Sequence, residues 1–342
     1  MPDDRSTSDG VGDDRDMPAP TDPTDASPTL AATTYRHRLP TPLLAPGEPV
    51  GPPGPVLDLP RRRLDLTHRI GVMGIVNRTP DSFYDQGATF ALEAALTLAR
   101  RLVAEGADII DVGGVKGGPG DEVTVEDEIA RIVPFVEALR AAEPAVLISV
   151  DTFRATVADA AMTAGADIIN DVTGLHDPEV LDVVVDREAG YVAMHHGGRP
   201  RTRPFRRSYA PDVTHAVVSH CRWLTDRARA AGVPAERLIV DPGHDFQKTT
   251  AHSLEVTRRL PELAALGYPV LVALSNKDFI GETLDAPLDR RVDGSVAAAV
   301  FSVLRGANLV RVHEVQRTVD AVRMTEAMLG WRTPSLAVRG LE

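Results

Sequence analysis

The sequence predicts an α/β fold of the (β/α)8 TIM-barrel type, preceded by a disordered N-terminal extension. Between residues 69 and 330, eight short apolar runs alternate with segments of helical periodicity. This order and this length are typical of such a barrel. Each run ends in polar residues, as strands do at the active-site end of a barrel. A doubly wound open sheet is the alternative, but eight evenly spaced units favour closure.

Weak internal repetition supports the same fold. Gly106-Ala-Asp-Ile-Ile, Gly165-Ala-Asp-Ile-Ile and Gly306-Ala-Asn-Leu-Val each lead into a polar residue. Each segment reads as a glycine at the end of a helix, followed by a strand with a polar end. One βα unit used several times produces this pattern.

The first 60 residues have a different composition from the rest of the chain. They hold 13 of the 27 prolines, and Asp, Ser and Thr fill the early part. Such a segment cannot bury enough apolar surface to offset its conformational entropy. We therefore predict a disordered Pro/Asp-rich extension over 1–60, the barrel over 69–330 and a C-terminal tail over 331–342.

The protein is acidic, with a formal net charge of −12. Part of this excess belongs to the extension, because the first 26 residues carry eight Asp and two Arg. A negative chain is not expected to have nucleic acid or an anionic membrane as its main partner. No apolar run reaches the length of a transmembrane helix, and no secretory signal is recognised at the N-terminus. The one cysteine, Cys221, excludes an internal disulfide framework and favours a reducing cytoplasm.

The barrel elements can be assigned in chain order. Apolar runs predict strands at 70–76, 108–112, 146–150, 166–169, 190–194, 237–240, 269–274 and 308–312. Apolar residues spaced i, i+3, i+4, i+7 predict amphipathic helices between them. Leu92, Ala95, Leu96 and Ala99 form one such stripe, and Ile129, Ile132, Val133 and Val136 form another.

Polar residues follow every predicted strand. In chain order they are Asn77 and Asp85; Asp111, Gly113 and Gly114; Asp151 and Thr152; Asn170 and Asp171; His195 and His196; Asp241, His244, Asp245 and Lys248; Ser275, Asn276, Lys277 and Asp278; and Arg311, His313 and Glu314. A single Asp at a strand end is usually a helix N-cap. Eight polar ends that converge on one mouth predict a functional site instead.

The residue types at these ends suit a flat, nitrogen-rich ligand. Asp151, Asn170 and Asp241 can together satisfy a heterocycle with several N–H donors and one or two acceptors. Lys277 can donate to a carbonyl or a nitrogen of the ring.

A second group of residues suits an anion. Arg311 and His313 lie two apart on an extended strand, so they point to the same face and can hold phosphate. Asn77 offers an amide oxygen to a metal ion bound to that anion. Zinc is the alternative for His195, His196 and His244, but their spacing fits no zinc motif.

Taken together, the motifs resemble those of the dihydropteroate synthase family, which joins a pterin diphosphate to para-aminobenzoate. The resemblance covers residues 69–330. The motifs are Met-Gly-Ile-Val-Asn-x-Thr-Pro-Asp-Ser-Phe at 73–83, Asp-Val-Gly-Gly at 111–114, Ser-Val-Asp-Thr at 149–152, Asn-Asp-Val at 170–172, Met-His at 194–195, Asp-Pro-Gly at 241–243, Ser-x-Lys at 275–277 and Arg-Val-His at 311–313.

The resemblance implies a role for each matching residue. It makes Asp151, Asn170, Asp241 and Lys277 the pterin ligands. Asn77, Arg311 and His313 become the diphosphate and Mg²⁺ site, with Asn77 as the metal ligand. Asp85 and Lys277 become the catalytic residues, Asp85 stabilising a cationic pterin intermediate. The family also implies a homodimer and small-molecule substrates, which are a pterin diphosphate and an amine.

The chain departs from the family pattern where the second substrate binds. The family's Glu-Ser-Thr-Arg in the second loop is replaced here by Val115, Lys116 and two glycines. The serine that helps to hold the para-aminobenzoate carboxylate is Asp278, whose charge is expected to repel it by a few kcal/mol at about 4 Å. A family glycine has become Asp245, and Arg78 replaces a small apolar residue. The pattern is that of a diverged copy of the synthase with an altered second-substrate subsite.

Four functional interpretations follow. The protein could be a working dihydropteroate synthase in which Lys116 replaces the lost Arg. It could be a transferase that uses another nucleophile and tolerates Asp278. It could be a pterin-binding protein without turnover. The fourth, a corrinoid-linked pterin methyltransferase, is disfavoured by Arg311 and His313, because a methylated folate carries no diphosphate.

Overall fold

The computed structural model describes residues 55–79, 91–115, 120–198, 208–336 and 339. Its strands are β1 Val56–Asp58, β2 Arg63–Asp65, β3 Gly71–Asn77, β4 Ile109–Gly113, β5 Leu147–Asp151, β6 Ile168–Asp171, β7 Gly190–Met194, β8 Leu238–Asp241, β9 Leu271–Ala273 and β10 Leu309–Val312. Its α-helices are α1 Leu92–Ala104, α2 Val125–Ala142, α3 Ala155–Thr163, α4 Val180–Asp186, α5 Val213–Ala231, α6 Thr250–Arg258, α7 Leu260–Ala264, α8 Asp278–Leu284, α9 Val292–Leu304 and α10 Val315–Met328.

Eight parallel strands, β3 to β10, form the barrel that the apolar runs predict. Their order in the sheet is β8-β7-β6-β5-β4-β3-β10-β9. A parallel bridge between Val240 and Val270 joins the two ends, where the amide of Val240 donates to the carbonyl of Pro269 at 2.9 Å. The (β/α)8 prediction is therefore confirmed, and the open sheet is excluded.

The burial of the strands explains why they read as unbroken apolar runs. Every residue of β4, β6, β7 and β8 is buried, because one face meets the barrel interior and the other meets a layer of helices. The helices bury only one stripe, as in α1, where Ala95, Ala99 and Leu102 face the sheet. Among the helices that the structure describes, none is both long and apolar enough to cross a membrane.

A short hairpin covers the amino-terminal end of the barrel. Strands β1 and β2 pair antiparallel, and Leu57, Leu59, Leu64 and Leu66 from this hairpin pack against Met73 and the other inward-facing residues at that end. Residues 56–60 are thus ordered, and the predicted boundary of the extension at 60 is wrong. Two pairs of leucines, Leu57 with Leu59 and Leu64 with Leu66, alternate along the two arms of the hairpin and bury one of its faces. Residues 1–54 lie outside the described part of the chain.

Leu57→Ala is expected to destabilise the barrel. The side chain is fully buried, so its removal leaves a cavity under the strands and should lower the free energy of unfolding by about 2–4 kcal/mol. Urea unfolding followed by circular dichroism measures this change. Leu336→Ala is the control, because Leu336 is 76% exposed and should change stability by less than about 0.5 kcal/mol. Equal stability of the Leu57 variant and the control would show that the hairpin is dispensable.

Candidate active site at the mouth of the barrel

The parallel sheet brings the predicted site residues to one end of the barrel. Register places Asn77 beside Gly113, Gly113 beside Asp151, and Asp151 beside Asn170. The remaining predicted residues that the structure describes follow the other strands at the same end: Asp241, Lys277, Asp278, Arg311 and His313. Asp85 and Lys116 lie outside the described residues, so their predicted roles stay predictions.

A buried ionic network forms the centre of this mouth. Arg311 donates through Nε to Asp111 Oδ2 at 2.7 Å and through Nη2 to Asp151 Oδ2 at 3.2 Å. Asp111 Oδ1 accepts hydrogen bonds from Ser149 Oγ at 2.6 Å and from Asn170 Nδ2 at 3.2 Å. Two of the predicted heterocycle ligands, Asp151 and Asn170, and the predicted anion ligand Arg311 therefore belong to one connected set.

Two residues of this network, Asp111 and Ser149, are not among the site residues that the motifs predict. Asp111 opens the Asp-Val-Gly-Gly motif, and that position was the available signal. Its role depends on Arg311, which lies 200 residues away in the chain. Only the closed barrel shows that Asp111 holds the guanidinium and the Asn170 amide in fixed orientations.

Burial governs the charge of the two predicted heterocycle acids. Burial raises the pKa of Asp151 to about 8, against the opposing effect of the Arg311 guanidinium. Burial also raises the pKa of Asp241, while Lys277 and a 2.7 Å hydrogen bond from the amide of Gly243 act in the opposite direction. Each carboxyl can thus serve a ring as hydrogen-bond donor or acceptor, depending on its protonation.

Lys277 lies at the opening beside this network. Its ammonium group donates to the carbonyl of His244 and sits 4.9 Å from the centre of the Phe246 ring. Burial lowers the pKa of Lys277, and the nearby carboxylates of Asp245 and Asp241 counter that effect. The amine is therefore held in place and has two negative neighbours.

A second buried lysine, Lys248, supports the loop after β8. Its Nζ lies 2.9 Å from His195 Nδ1 and donates to the carbonyl oxygens of Gly243 at 2.8 Å and Phe246 at 3.1 Å. Burial lowers the pKa of Lys248 to about 7. These contacts make Lys248 a residue that positions the Asp241 loop. They also make His195 a hydrogen-bonded barrel residue, as expected in preference to a zinc ligand.

His313 and Asn77 occupy neighbouring strand ends, as predicted for the anion. The hydroxyl of Ser275 lies 3.0 Å from His313 Nδ1, and it accepts from the His313 amide at 3.2 Å. This contact fixes one nitrogen of the His313 ring. Asn77 ends β3 with a half-buried side chain.

The acid at position 278 is not isolated, contrary to its expected repulsive role. Asp278 Oδ1 accepts from Arg291 Nη1 at 2.9 Å, and its side chain is 85% exposed. The same guanidinium donates to the carbonyls of Asn276 and Ala286 at 3.0 and 3.1 Å. A paired, solvated carboxylate repels a second anion much less than an unpaired one.

A different acid lies deeper on that side of the mouth. Asp245 Oδ2 accepts from the backbone amides of Asp278 at 2.7 Å and Phe279 at 3.4 Å. Its Oδ1 accepts from Ser253 Oγ at 3.3 Å. The sequence shows the exchange at position 245, whereas these contacts follow from the packing of the loop against α8.

Comparison with known proteins places this geometry in context. Residues 73–313 match the family described as pterin binding enzyme. The chain is 52% identical over 274 residues to inactive dihydropteroate synthase 2 of Mycobacterium tuberculosis, covering 79% of this chain and 86% of that protein. It is 40% identical over 257 residues to the dihydropteroate synthase of Haemophilus influenzae, covering 75% and 93%.

A solved structure shows the same similarity. The dihydropteroate synthase of Xanthomonas albilineans with 4-aminobenzoic acid superimposes with a TM-score of 0.73 at 43% identity. The match covers 82% of this chain and 100% of that one.

Proposed function

Because the chain belongs to the pterin-binding enzyme family, we propose that it binds a pterin diphosphate at the mouth of its barrel. We further propose that it is a diverged protein of the dihydropteroate synthase type, with little or no turnover of 4-aminobenzoate. A transferase acting on another amine is the second candidate, which the altered residues around Asp278 favour.

The network of Asp111, Asp151, Asn170 and Arg311 carries the proposal. It presents carboxylate, amide and guanidinium groups in fixed positions around the mouth. Asp241 and Lys277 supply an acid and an amine on the neighbouring strands. A pterin ring has a row of donors and acceptors along one edge, and such a set can satisfy it.

Arg311, His313 and Asn77 are the proposed diphosphate ligands. Arg311 keeps its charge at any physiological pH and can meet phosphate oxygens with its free edge. Mg²⁺ would join as the counter-ion of the diphosphate, which it neutralises when diphosphate leaves. In the described part of the chain no three His, Cys, Asp or Glu side chains group around a possible metal. The residues therefore fit a Mg²⁺ held mainly by phosphate oxygens, with Asn77 as one protein ligand.

The proposed catalytic residues are Lys277 and Asp85, on the resemblance given above. Lys277 would donate to the pterin ring, and the carboxylates of Asp245 and Asp241 oppose the lowering of its pKa by burial. The chain's exchanges on the second-substrate side support weak turnover. The Mycobacterium tuberculosis relative, named as inactive, supports the same conclusion.

Calorimetry with a 6-hydroxymethyl-7,8-dihydropterin diphosphate tests the proposed function. We expect binding in the presence of Mg²⁺, and weaker binding of the corresponding pterin alcohol. The protein should form little dihydropteroate when 4-aminobenzoate is added. Absence of pterin diphosphate binding would refute the proposal.

Pterin affinity should depend on pH through Asp151. A ring N–H donates to the ionised carboxylate, and burial raises the pKa of this acid to about 8. Because the ionised fraction falls about tenfold for each pH unit well below the pKa, affinity should fall by about 20- to 30-fold between pH 7.5 and pH 6. Calorimetry across this range measures the effect. In Asp151→Asn the slope should flatten, and a slope equal to that of the wild type would contradict the assignment.

Asp241→Ala should weaken pterin binding by about 1–3 kcal/mol, because ring N–H donors lose their acceptor in a buried site. Calorimetry of the variant against the wild type measures this loss. Asp159→Ala is the matched control, since Asp159 pairs with Arg187 on the outside of the barrel. Unchanged affinity in the Asp241 variant would remove this residue from the pterin site.

We also propose a cytoplasmic homodimer. Exposed apolar side chains lie on two adjacent helices, Phe301 and Leu304 on α9 and Met324 and Met328 on α10. Exposed apolar side chains grouped on neighbouring helices support a protein interface there. The buried Cys221 is a free thiol, which suits a reducing compartment. Light scattering after size exclusion should give twice the chain mass, and a monomer at micromolar concentration would contradict the dimer.

A further inference from the structure

We propose that Asp245 is a specificity-determining residue, which closes the second-substrate side of the mouth to anions and confines the second ligand to neutral or cationic amines. The inference rests on the proposed function, since it concerns the partner that meets the bound pterin. It places the selectivity in Asp245 and not in Asp278.

The backbone at Asp245 shows that its carboxylate is held where it is at a conformational cost. Its φ is +66°, in the left-handed region that favours glycine, and glycine is the residue of the family motif at this position. Asp tolerates this conformation better than most residues but is still strained there. The chain thus keeps the backbone shape of a glycine and adds a carboxylate to it.

The contacts of that carboxylate remove the donors that an incoming anion would use. Asp245 Oδ2 accepts hydrogen bonds from the backbone amides of Asp278 and Phe279. Its Oδ1 accepts one from the hydroxyl of Ser253. A carboxylate from a substrate would have to displace Asp245 from these amides. The site therefore supplies its own anion at the start of α8.

The charge balance around these amides has the same consequence. Lys277 is the nearest cation, and Asp245 and Asp241 already neutralise it. Arg291 is engaged with Asp278. Among the described residues, Lys277 and Arg291 thus already have carboxylates beside them, which favours a neutral or cationic amine over a second anion.

A charge-matched pair of ligands tests the inference on the full-length chain. We would saturate the protein with pterin diphosphate and Mg²⁺, and then titrate 4-aminobenzoate and 4-aminobenzamide by calorimetry. The two ligands share size and ring, and only the first is an anion. The wild type should bind the amide at least tenfold more tightly than the acid.

Two variants of Asp245 should reverse this preference. Asp245→Gly frees the amides and relieves the left-handed strain, and Asp245→Asn keeps an acceptor but removes the charge. Each should improve the affinity for the acid relative to the amide at least tenfold. Asp285→Gly is the matched control: it makes the same exchange at another left-handed Asp, with φ +48°, at the exposed far end of α8, and should leave the ratio unchanged. Asp278→Asn should change the ratio less than threefold.

The outcomes separate the inference from the proposed function. If pterin diphosphate binds but neither Asp245 variant alters the acid-to-amide ratio, the inference is wrong and the proposed function stands. A change in Asp278→Asn alone would move the selectivity to that residue and also overturn the inference. If no variant binds the acid, Asp245 is not what excludes it. Failure of pterin diphosphate to bind would overturn both.

Discussion

Arg311→Met is expected to unfold more easily than the wild type by about 3–5 kcal/mol, because it leaves the fully buried Asp111 without its cation. In the native site the guanidinium meets Asp111 at 2.7 Å and Asp151 at 3.2 Å. Met has a similar length but no charge. The loss of stability therefore measures the ion pair more than the packing of the side chain. Urea unfolding at pH 7 measures it.

The same variant should lose the preference for diphosphate. In the wild type with Mg²⁺, pterin diphosphate should bind more tightly than pterin alcohol, and Arg311→Met should bind them equally. Arg317→Met is the control, because Arg317 pairs with Asp293 on the solvent-exposed face of α10, at 3.3 Å. That change should cost less than about 0.5 kcal/mol.

A double variant identifies the cause of the instability. Adding Asp111→Asn to Arg311→Met removes the unpaired charge and should restore part of the stability. Losses that simply add in the double variant would show that the two groups do not interact. Equal binding of alcohol and diphosphate by the wild type would remove Arg311 from the diphosphate site.

Steady-state turnover of 4-aminobenzoate by the wild type should be very weak. We expect kcat/KM at least about 100-fold below the 10⁴ M⁻¹s⁻¹ that marks the lower end of the ordinary enzyme range. Lys116 is a flexible point charge and orients a planar acid less well than an Arg fork. Ordering a loop with two glycines costs additional entropy, and Asp245 occupies the amides at the start of α8.

Repair of the subsite should raise this turnover. Lys116→Ser, Gly117→Thr and Gly118→Arg restore the loop of the family pattern, Asp278→Ser restores the hydroxyl, and Asp245→Gly frees the amides at the start of α8. These changes act on the same ligand, so their combined effect should exceed the sum of the separate ones. Affinity for sulfonamide mimics of 4-aminobenzoate should rise in parallel. A wild-type kcat/KM of about 10⁴ M⁻¹s⁻¹ or more would show instead that the protein is a working synthase.

Periodicity in the sequence was sufficient for the barrel. Strands buried on both faces must be apolar throughout, and helices on a sheet must carry an apolar stripe, so both patterns are local and readable. The polar ends of the strands were equally readable, because parallel strands bring all their carboxyl ends to one side. Asn170 and Asp241 could be assigned to one mouth for this reason alone.

The hairpin of β1 and β2 could not be predicted from such local patterns. Its first strand falls at the end of the proline-rich first 60 residues, and two short pairs of alternating leucines are too brief a pattern to predict strands. Their burial depends on an open barrel end made by eight distant strands. The hairpin is ordered because it packs on the end of the barrel, a surface that exists only after folding. Composition alone therefore could not predict it.

The sequence by itself determined the fold, the mouth and the identity of most residues around it. Only the tertiary structure decided which of their charged side chains pair with one another. Asp111 and Arg311 are 200 residues apart yet form one ion pair, Arg291 neutralises Asp278, and Asp245 reaches the amides of α8. Electrostatic energy depends on the distance between two charges and on how deeply they are buried. Both quantities are set by the folded structure and cannot be read from the sequence.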